Sequence, residues 1–201
     1  ASAQFAGKIA VVTGAAQGIG EATARLLAQR GAAGVVLVDR QADKGEAVAR
    51  SLNDAGTRAI FVAADLADPA AVAKVIPAAD QAFGRVDVLA NIAGLTDRGT
   101  ILDTDLKLYD RMFAINVRAP FFLMQDAIKV MQREKIEGTI VNILSVNAYI
   151  GSPNLAAYSA SKGALMTLTK NTANAVNLMR IRVNGIILGW ADTPGEHVTL
   201  K

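Results

Sequence analysis

Short apolar runs and longer helical stretches alternate along this chain, and that alternation restricts its fold more than any other feature. The run "KIAVVTG" (residues 8–14) is β-rich and ends in glycine. "GIGEATARLLAQRG" follows with helical periodicity, placing Ile19, Ala22, Leu26 and Leu27 on one face and Gly31 at the C-terminal stop. "GVVLVDR" (34–40) is continuously apolar, the pattern of a parallel strand covered on both faces. A helix over 42–55, the strand "RAIFVAADL" and a helix after Pro69 come next. The strand "VDVLANIAG" (86–94), a long helix over about 106–134 and the strand "GTIVNILS" (138–145) follow. A helix carrying "YSASK" leads to a last strand, "IRVNGIIL". Strand and helix in strict turn build right-handed βαβ units, so the expectation is α/β: a doubly wound parallel sheet in one domain over 1–201.

Composition removes other classes. Hydrophobic residues make up 52% and charged residues 19% of 201, enough apolar mass for one sizeable core. Cysteine is absent, which excludes a disulfide framework and thiolate-ligated metal and fits a reducing compartment. The single histidine, His197, excludes a multi-histidine metal centre. The net charge of +3 is scattered, and Lys129, Arg133 and Lys135 suit a helix C-terminus better than a nucleic-acid patch. No apolar run exceeds strand length, and the N-terminus lacks a signal-peptide pattern. The expectation is a cytoplasmic protein with neither nucleic-acid nor membrane partners.

"TGAAQGIG" joins the first strand to the first helix through Gly14, Gly18 and Gly20. A pyrophosphate needs such a place: the backbone turns sharply, approaches the phosphates closely and offers helix N-terminal amides. In "YSASK", Tyr158 and Lys162 stand at i and i+4 and share a helix face. Taken alone, that pair also describes a tyrosine packed on a core with a lysine reaching past it to water.

The G-x-x-x-G-x-G spacing together with Tyr-x-x-x-Lys resembles the short-chain dehydrogenase/reductase family, in its compact single-domain form, over residues 8 to about 193. The resemblance implies a Rossmann fold and a nicotinamide cofactor, with Gly14, Gln17, Gly18, Ile19 and Gly20 at the pyrophosphate. Asp39, ending the second strand, can accept both ribose hydroxyls of NAD and repel the extra phosphate of NADP. Arg40 beside it could hold that phosphate, but the place in the glycine loop where NADP users of the family commonly carry a basic residue is Gln17 here, so NAD is expected over NADP. Asp65 and Leu66 match the adenine segment. Asn91, Ala93 and Gly94 match the family's Asn-Asn-Ala-Gly motif, with Ile92 replacing its second asparagine.

The resemblance also implies a catalytic set of Asn116, Ser145, Tyr158 and Lys162. A free phenol, with its pKa near 10, is a poor base at neutral pH, and a neighbouring ammonium lowers that value. Tyr158 would then exchange a proton with an alcohol or ketone, Ser145 would hold the reacting oxygen, and Lys162 would tune the phenol and bind the nicotinamide ribose, so that Tyr158 and Lys162 also count among the cofactor-binding residues. Asn116 would hold a water against Lys162. After the last strand, Leu188 replaces a family proline, while Gly189 and Thr193 remain at the nicotinamide. Relatives continue with a substrate-covering helix and a further strand, so these 201 residues are expected to lack the lid and last strand, with the lid beginning between Gly195 and Lys201. Thr96, Val146, Asn147, Ile150 and Asn154 flank the reacting centre; Thr96, Asn147 and Asn154 are the substrate candidates, the asparagines favouring a sugar or polyol. The family's helix faces imply a homotetramer or homodimer. A non-catalytic dinucleotide-binding module and an epimerase or dehydratase stay open beside the oxidoreductase.

Overall fold

The computed structural model describes residues 3–191. Six parallel strands form one sheet in the order β3-β2-β1-β4-β5-β6. They are β1 (Ile9–Thr13), β2 (Gly34–Asp39), β3 (Arg58–Ala63), β4 (Val88–Asn91), β5 (Thr139–Ser145) and β6 (Arg182–Leu188). The helices are α1 (Gly18–Gln29), α2 (Ala42–Asp54), α3 (Pro69–Phe83), α4 (Leu106–Phe113), α5 (Ala119–Arg133), α6 (Asn147–Ile150) and α7 (Ala156–Val176). The doubly wound α/β fold expected from the alternation is therefore present. The order reverses between β1 and β4, where a crevice opens beyond the carboxyl ends of the strands.

Every residue of β1 and β2 is buried, because helices cover both faces. Alternate residues feed two cores. Ala10, Val12, Val35 and Leu37 meet Ala24, Leu27, Val48 and Leu52 of α1 and α2. Val11, Val36 and Val38 meet α3 and α5 through Val75, Ile76, Leu123 and Met124 on the opposite face. β3 is half-exposed, as an edge strand should be.

Four expectations need correction. Strand β4 covers Val88–Asn91 and not 86–94, because the N–H groups of Ile92 and Ala93 leave the ladder and donate to Thr13 Oγ1 at 3.0 and 3.1 Å. Strand β3 stops at Ala63 rather than continuing to residue 66: the Ala64 N–H goes to Asp39 O, and Asp65 turns the chain by accepting from the Ala67 N–H at 2.9 Å. The buried face of α1 is Gly20, Ala24 and Leu27; Ala22 and Leu26 face outward, Leu26 being 45% exposed. Gly20 and Ala24 let α1 settle closely on the sheet with Leu27 in the core, and that rotation leaves Leu26 outside. The long helix over 106–134 is two α-helices joined by a π-helical turn at Ala114–Arg118. Pro120 has no N–H to give the Asn116 carbonyl four residues back, and the Ala119 N–H reaches Ala114 O instead.

At the opposite, N-terminal end of the sheet, the buried Asp87 accepts from the Ile9 N–H at 3.0 Å and from Arg85 at 2.9 and 2.7 Å. Burial pushes its carboxyl up, but the Arg85 and Ile9 hydrogen bonds and the Arg85 and Lys8 charges together hold it below the usual range. Asp87→Ala should cost roughly 2–3 kcal/mol, because a buried N–H and a guanidinium lose their acceptor. Urea unfolding measures that cost, and dinucleotide affinity should not change.

Candidate active site

A cleft of about 420 Å³ runs along the carboxyl ends of the strands, past Gly14, Asp39 and Asp65 at one end and Ser145, Tyr158 and Lys162 at the other. Gly14 and Gly18 have φ of +68° and +59°, the left-handed region that glycine enters without strain. A Cβ on Gly14 would lie 3.0 Å from the backbone of Ala93, and one on Gly20 would lie 2.0 Å from Gly14 O. The loop is thus a bare-backbone cradle at the N-terminus of α1, and Gln17 and Ile19 line it. These residues fit a dinucleotide pyrophosphate.

Asp39 is only 8% exposed. Its two carboxylate oxygens accept from the Ala16 N–H at 3.1 Å and the Gln41 N–H at 3.0 Å, which fixes the carboxylate in the cleft wall. Arg40 is exposed beside it, and Lys44 donates to Gln17 Oε1 at 3.0 Å across the loop. Further along, Leu66 lines the cleft, and Asp65 pairs with Arg111 at 3.3 Å. The Ala67 N–H foremost, helped by the Arg111 and Arg40 charges, outweighs desolvation and keeps the Asp65 carboxyl low. Sequence reasoning missed Arg111; no spacing links positions 65 and 111, which meet only once α4 lies over the end of β3.

Asn91 donates to Asn142 Oδ1 at 2.9 Å, joining β4 to β5, and its side chain is buried beneath the cleft rather than in its wall. Ile92, Ala93 and Gly94 do line the wall. Gly94 leaves room there, since a Cβ at that position would come within 3.5 Å of Lys162 Nζ and 3.6 Å of Asn116 Oδ1.

The Asn116 side chain is fully engaged. Its Oδ1 accepts from the Leu95 N–H at 2.8 Å, and its Nδ2 donates to Leu95 O, Ser161 Oγ and Met112 Sδ at 2.9, 3.0 and 3.2 Å. The amide therefore clamps the segment after Gly94 to the π-helical turn and α7. Ser145 is 4% exposed, and its Oγ accepts from the Asn147 N–H at 3.2 Å. Lys162 is 3% exposed, and its Nζ donates to Ile143 O at 2.8 Å. It lies 5.8 Å from the centre of the half-buried Tyr158 ring. A lysine reaching past its neighbour to water would not be buried in this way.

Burial alone lowers the Lys162 ammonium to about 8. The folded value thus lies below the unfolded value of about 10.4, so the charge destabilises the fold below pH 8 and that penalty fades as pH rises to about 10.4. Relative to Lys162→Met, the parent chain should gain on the order of 3 kcal/mol between pH 7 and pH 10.5. Urea unfolding at the two pH values measures that difference.

Thr96 lines the cleft, whereas Asn147 and Asn154 stand outside its wall. Asn147 opens α6, and the exposed Asn154 accepts from Ser152 Oγ at 3.0 Å. Leu188 and Gly189 line the far end. Thr193, His197 and the segment between Gly195 and Lys201 lie outside the described residues. Among the described residues no group of acidic or histidine side chains could hold a metal ion, and no helix is long and apolar enough to cross a membrane.

A family model described as short chain dehydrogenase matches residues 8–199. The cis-4-hydroxycyclohexanecarboxylate dehydrogenase of Sinomonas cyclohexanicum is 39% identical over 191 residues, covering 94% of this chain and 76% of that protein. The crystal structure of a short chain dehydrogenase from Burkholderia cenocepacia J2315 in complex with NADP matches with a TM-score of 0.88 at 34% identity, covering 95% of this chain and 77% of that one. The 3-ketoacyl-(acyl-carrier-protein) reductase from Brucella melitensis complexed with NADH matches with a TM-score of 0.88 at 34% identity, over 95% and 79%. With the cradle, the parallel sheet and the match over nearly its whole length, the chain belongs to the short-chain dehydrogenase family of oxidoreductases.

Proposed function

We propose that this chain moves a hydride between NAD and a secondary alcohol or ketone, with Tyr158 as general acid and base. The observation that carries this reading is the convergence of Ser145, Tyr158 and Lys162 on one end of a cleft whose other end is the glycine cradle. The dinucleotide, when bound, supplies the hydride acceptor. Gly14, Gly18, Gly20 and Asp39 would hold it, with Asp65, Leu66, Ala93, Gly94 and Gly189 along the wall. Ser145 Oγ donates a hydrogen bond to the reacting oxygen and holds it near the phenol. The phenolate of Tyr158 takes the hydroxyl proton, favoured by the ammonium of Lys162 in a site where water screens little. The proton returns to bulk through Lys162 and a water held by Asn116. The acceptor on that residue is the main-chain carbonyl, because its side-chain amide is occupied by Leu95, Ser161 and Met112.

NAD is preferred because the Asp39 carboxylate is held by two backbone donors where ribose hydroxyls would come, and a phosphate would meet its charge. Arg40 at the cleft edge softens that preference. The protein works in the cytoplasm as a homotetramer or homodimer; the half-exposed Phe121 and Phe122 on α5 support a subunit contact there.

The test mixes the chain with NAD or NADP and a panel of sugars, polyols and simple secondary alcohols, following reduced nicotinamide. Turnover with NAD, at least about tenfold favoured over NADP (1.4 kcal/mol), is the expected result. Dinucleotide binding with no turnover on any substrate would instead support a non-catalytic binding module.

A further inference from the structure

Beneath the cleft, a row of polar side chains crosses the middle of the sheet in a place where apolar packing would be expected. Asn91 and Asn142 are register partners on β4 and β5, and Gly185 of β6 is the next partner in the row. Asn91 Nδ2 donates to Asn142 Oδ1, and Asn142 Nδ2 donates to Thr169 Oγ1 at 2.9 Å. The Thr169 hydroxyl donates to Leu165 O at 2.7 Å. Asn142 is 0% and Thr169 5% exposed, so water does not compete for these bonds.

The row carries no chemistry of its own; what it does is attach α7 to the sheet. Thr169 stands seven residues after Lys162, two turns along α7 and on the same face. Both residues bond to β5, Lys162 at Ile143 O and Thr169 at Asn142. A helix sliding on an apolar face meets little directional resistance, whereas a buried hydrogen bond fixes height and rotation. The methyl side of Thr169 is held as well: its Cγ2 lies 3.7 Å from where a Cβ on Gly185 would sit.

We propose that Thr169 and Asn142 are positioning residues for Tyr158 and Lys162, acting as a polar pin that sets α7 against β5 two turns away from the reacting groups. This rests on the reading of Tyr158 as the acid and base. Without the pin α7 keeps its apolar contacts and the Lys162–Ile143 and Asn116–Ser161 bonds but loses its second polar attachment to β5, so it can tilt about the remaining bonds and the phenol loses its alignment with Ser145.

Thr169→Val, which keeps the shape and removes the hydroxyl, tests this against Thr169→Ser, which keeps the hydroxyl. In Thr169→Val, kcat should fall about tenfold with KM nearly unchanged, the pattern of an interaction that matters in the transition state. Thr169→Ser should restore kcat. A second readout needs no substrate: the tyrosinate absorbance step that disappears in Tyr158→Phe should move to higher pH in Thr169→Val and return in Thr169→Ser. The charged groups around that phenol are Lys162 on its own helix and Asp39, Arg40, Asp65, Asp97 and Arg111 along the cleft, none of them altered by either variant. A lower melting temperature in Thr169→Val with kcat and the tyrosinate step unmoved would overturn the pin. Turnover surviving Tyr158→Phe would instead overturn the reading of Tyr158 on which the pin rests.

Discussion

Tyr158→Phe is expected to lower turnover by about 10²–10⁴-fold, the range for losing a positioned acid or base. Dissociation of NAD should change little. The variant removes one oxygen and keeps the ring, so the contact with Lys162 Nζ 5.8 Å from the ring centre persists. The bond holding this turn of α7 also persists, because Ser161 Oγ donates to the Tyr158 carbonyl at 2.7 Å and not to the phenol. Stopped-flow measurement of reduced nicotinamide, with NAD affinity taken from fluorescence quenching, separates the two effects. If Tyr158 were only a packed aromatic, phenylalanine would serve as well and turnover would survive. Loss of NAD binding together with turnover would point to a collapsed cleft instead of a missing proton carrier.

The fold was legible because a parallel sheet covered on both faces leaves a plain mark: β1 and β2 are buried at every position and apolar at all but the last, where Thr13 and Asp39 reach the cleft end of the sheet. The glycine loop was legible for a related reason, since a backbone pressed against its neighbours leaves no choice of residue. What the sequence hid depends on how closely elements approach. Helical periodicity counted Ile19, Ala22, Leu26 and Leu27 as one face, but the contact that decides the rotation of α1 is Gly20 against the loop. Hydrophobicity does not register a glycine as a contact.

The site was legible in part. Tyr158, Lys162 and Ser145 stood out through the family motif rather than by residue type, and all three line the cleft. The two asparagines offered as hydroxyl readers lie outside its wall, because α6 and the turn at Ser152 carry them away from it. The engagement of Asn116 with Leu95 and Ser161 joins positions far apart in the chain, and no spacing predicts it. The π-helical turn that carries Asn116 did leave a trace: Pro120 follows four residues later inside a helical pattern, where it must disturb the ladder.

Gly20→Ala is expected to weaken dinucleotide binding by about 10²-fold, roughly 3 kcal/mol. The added methyl would sit 2.0 Å from Gly14 O and 2.5 Å from Gly14 C, backbone atoms that cannot rotate out of the way as a side chain can. Retreat of α1 is opposed by Ala24 and Leu27, which are packed in the core. Retreat of the loop is opposed by Ala93, already close enough that a Cβ on Gly14 would lie 3.0 Å from it. Strain therefore concentrates in the loop, the segment whose amides must meet the phosphates. Stability should also fall, by about 1–3 kcal/mol, which for a chain of this size lowers the melting temperature by several degrees. Calorimetric titration with NAD well below that melting temperature keeps the two effects apart. Far-ultraviolet circular dichroism of the parent type with binding lost shows that the helix–loop approach serves the cofactor. Binding at the parent affinity would mean that the loop tolerates a side chain at Gly20 and that close backbone approach is not what holds the dinucleotide.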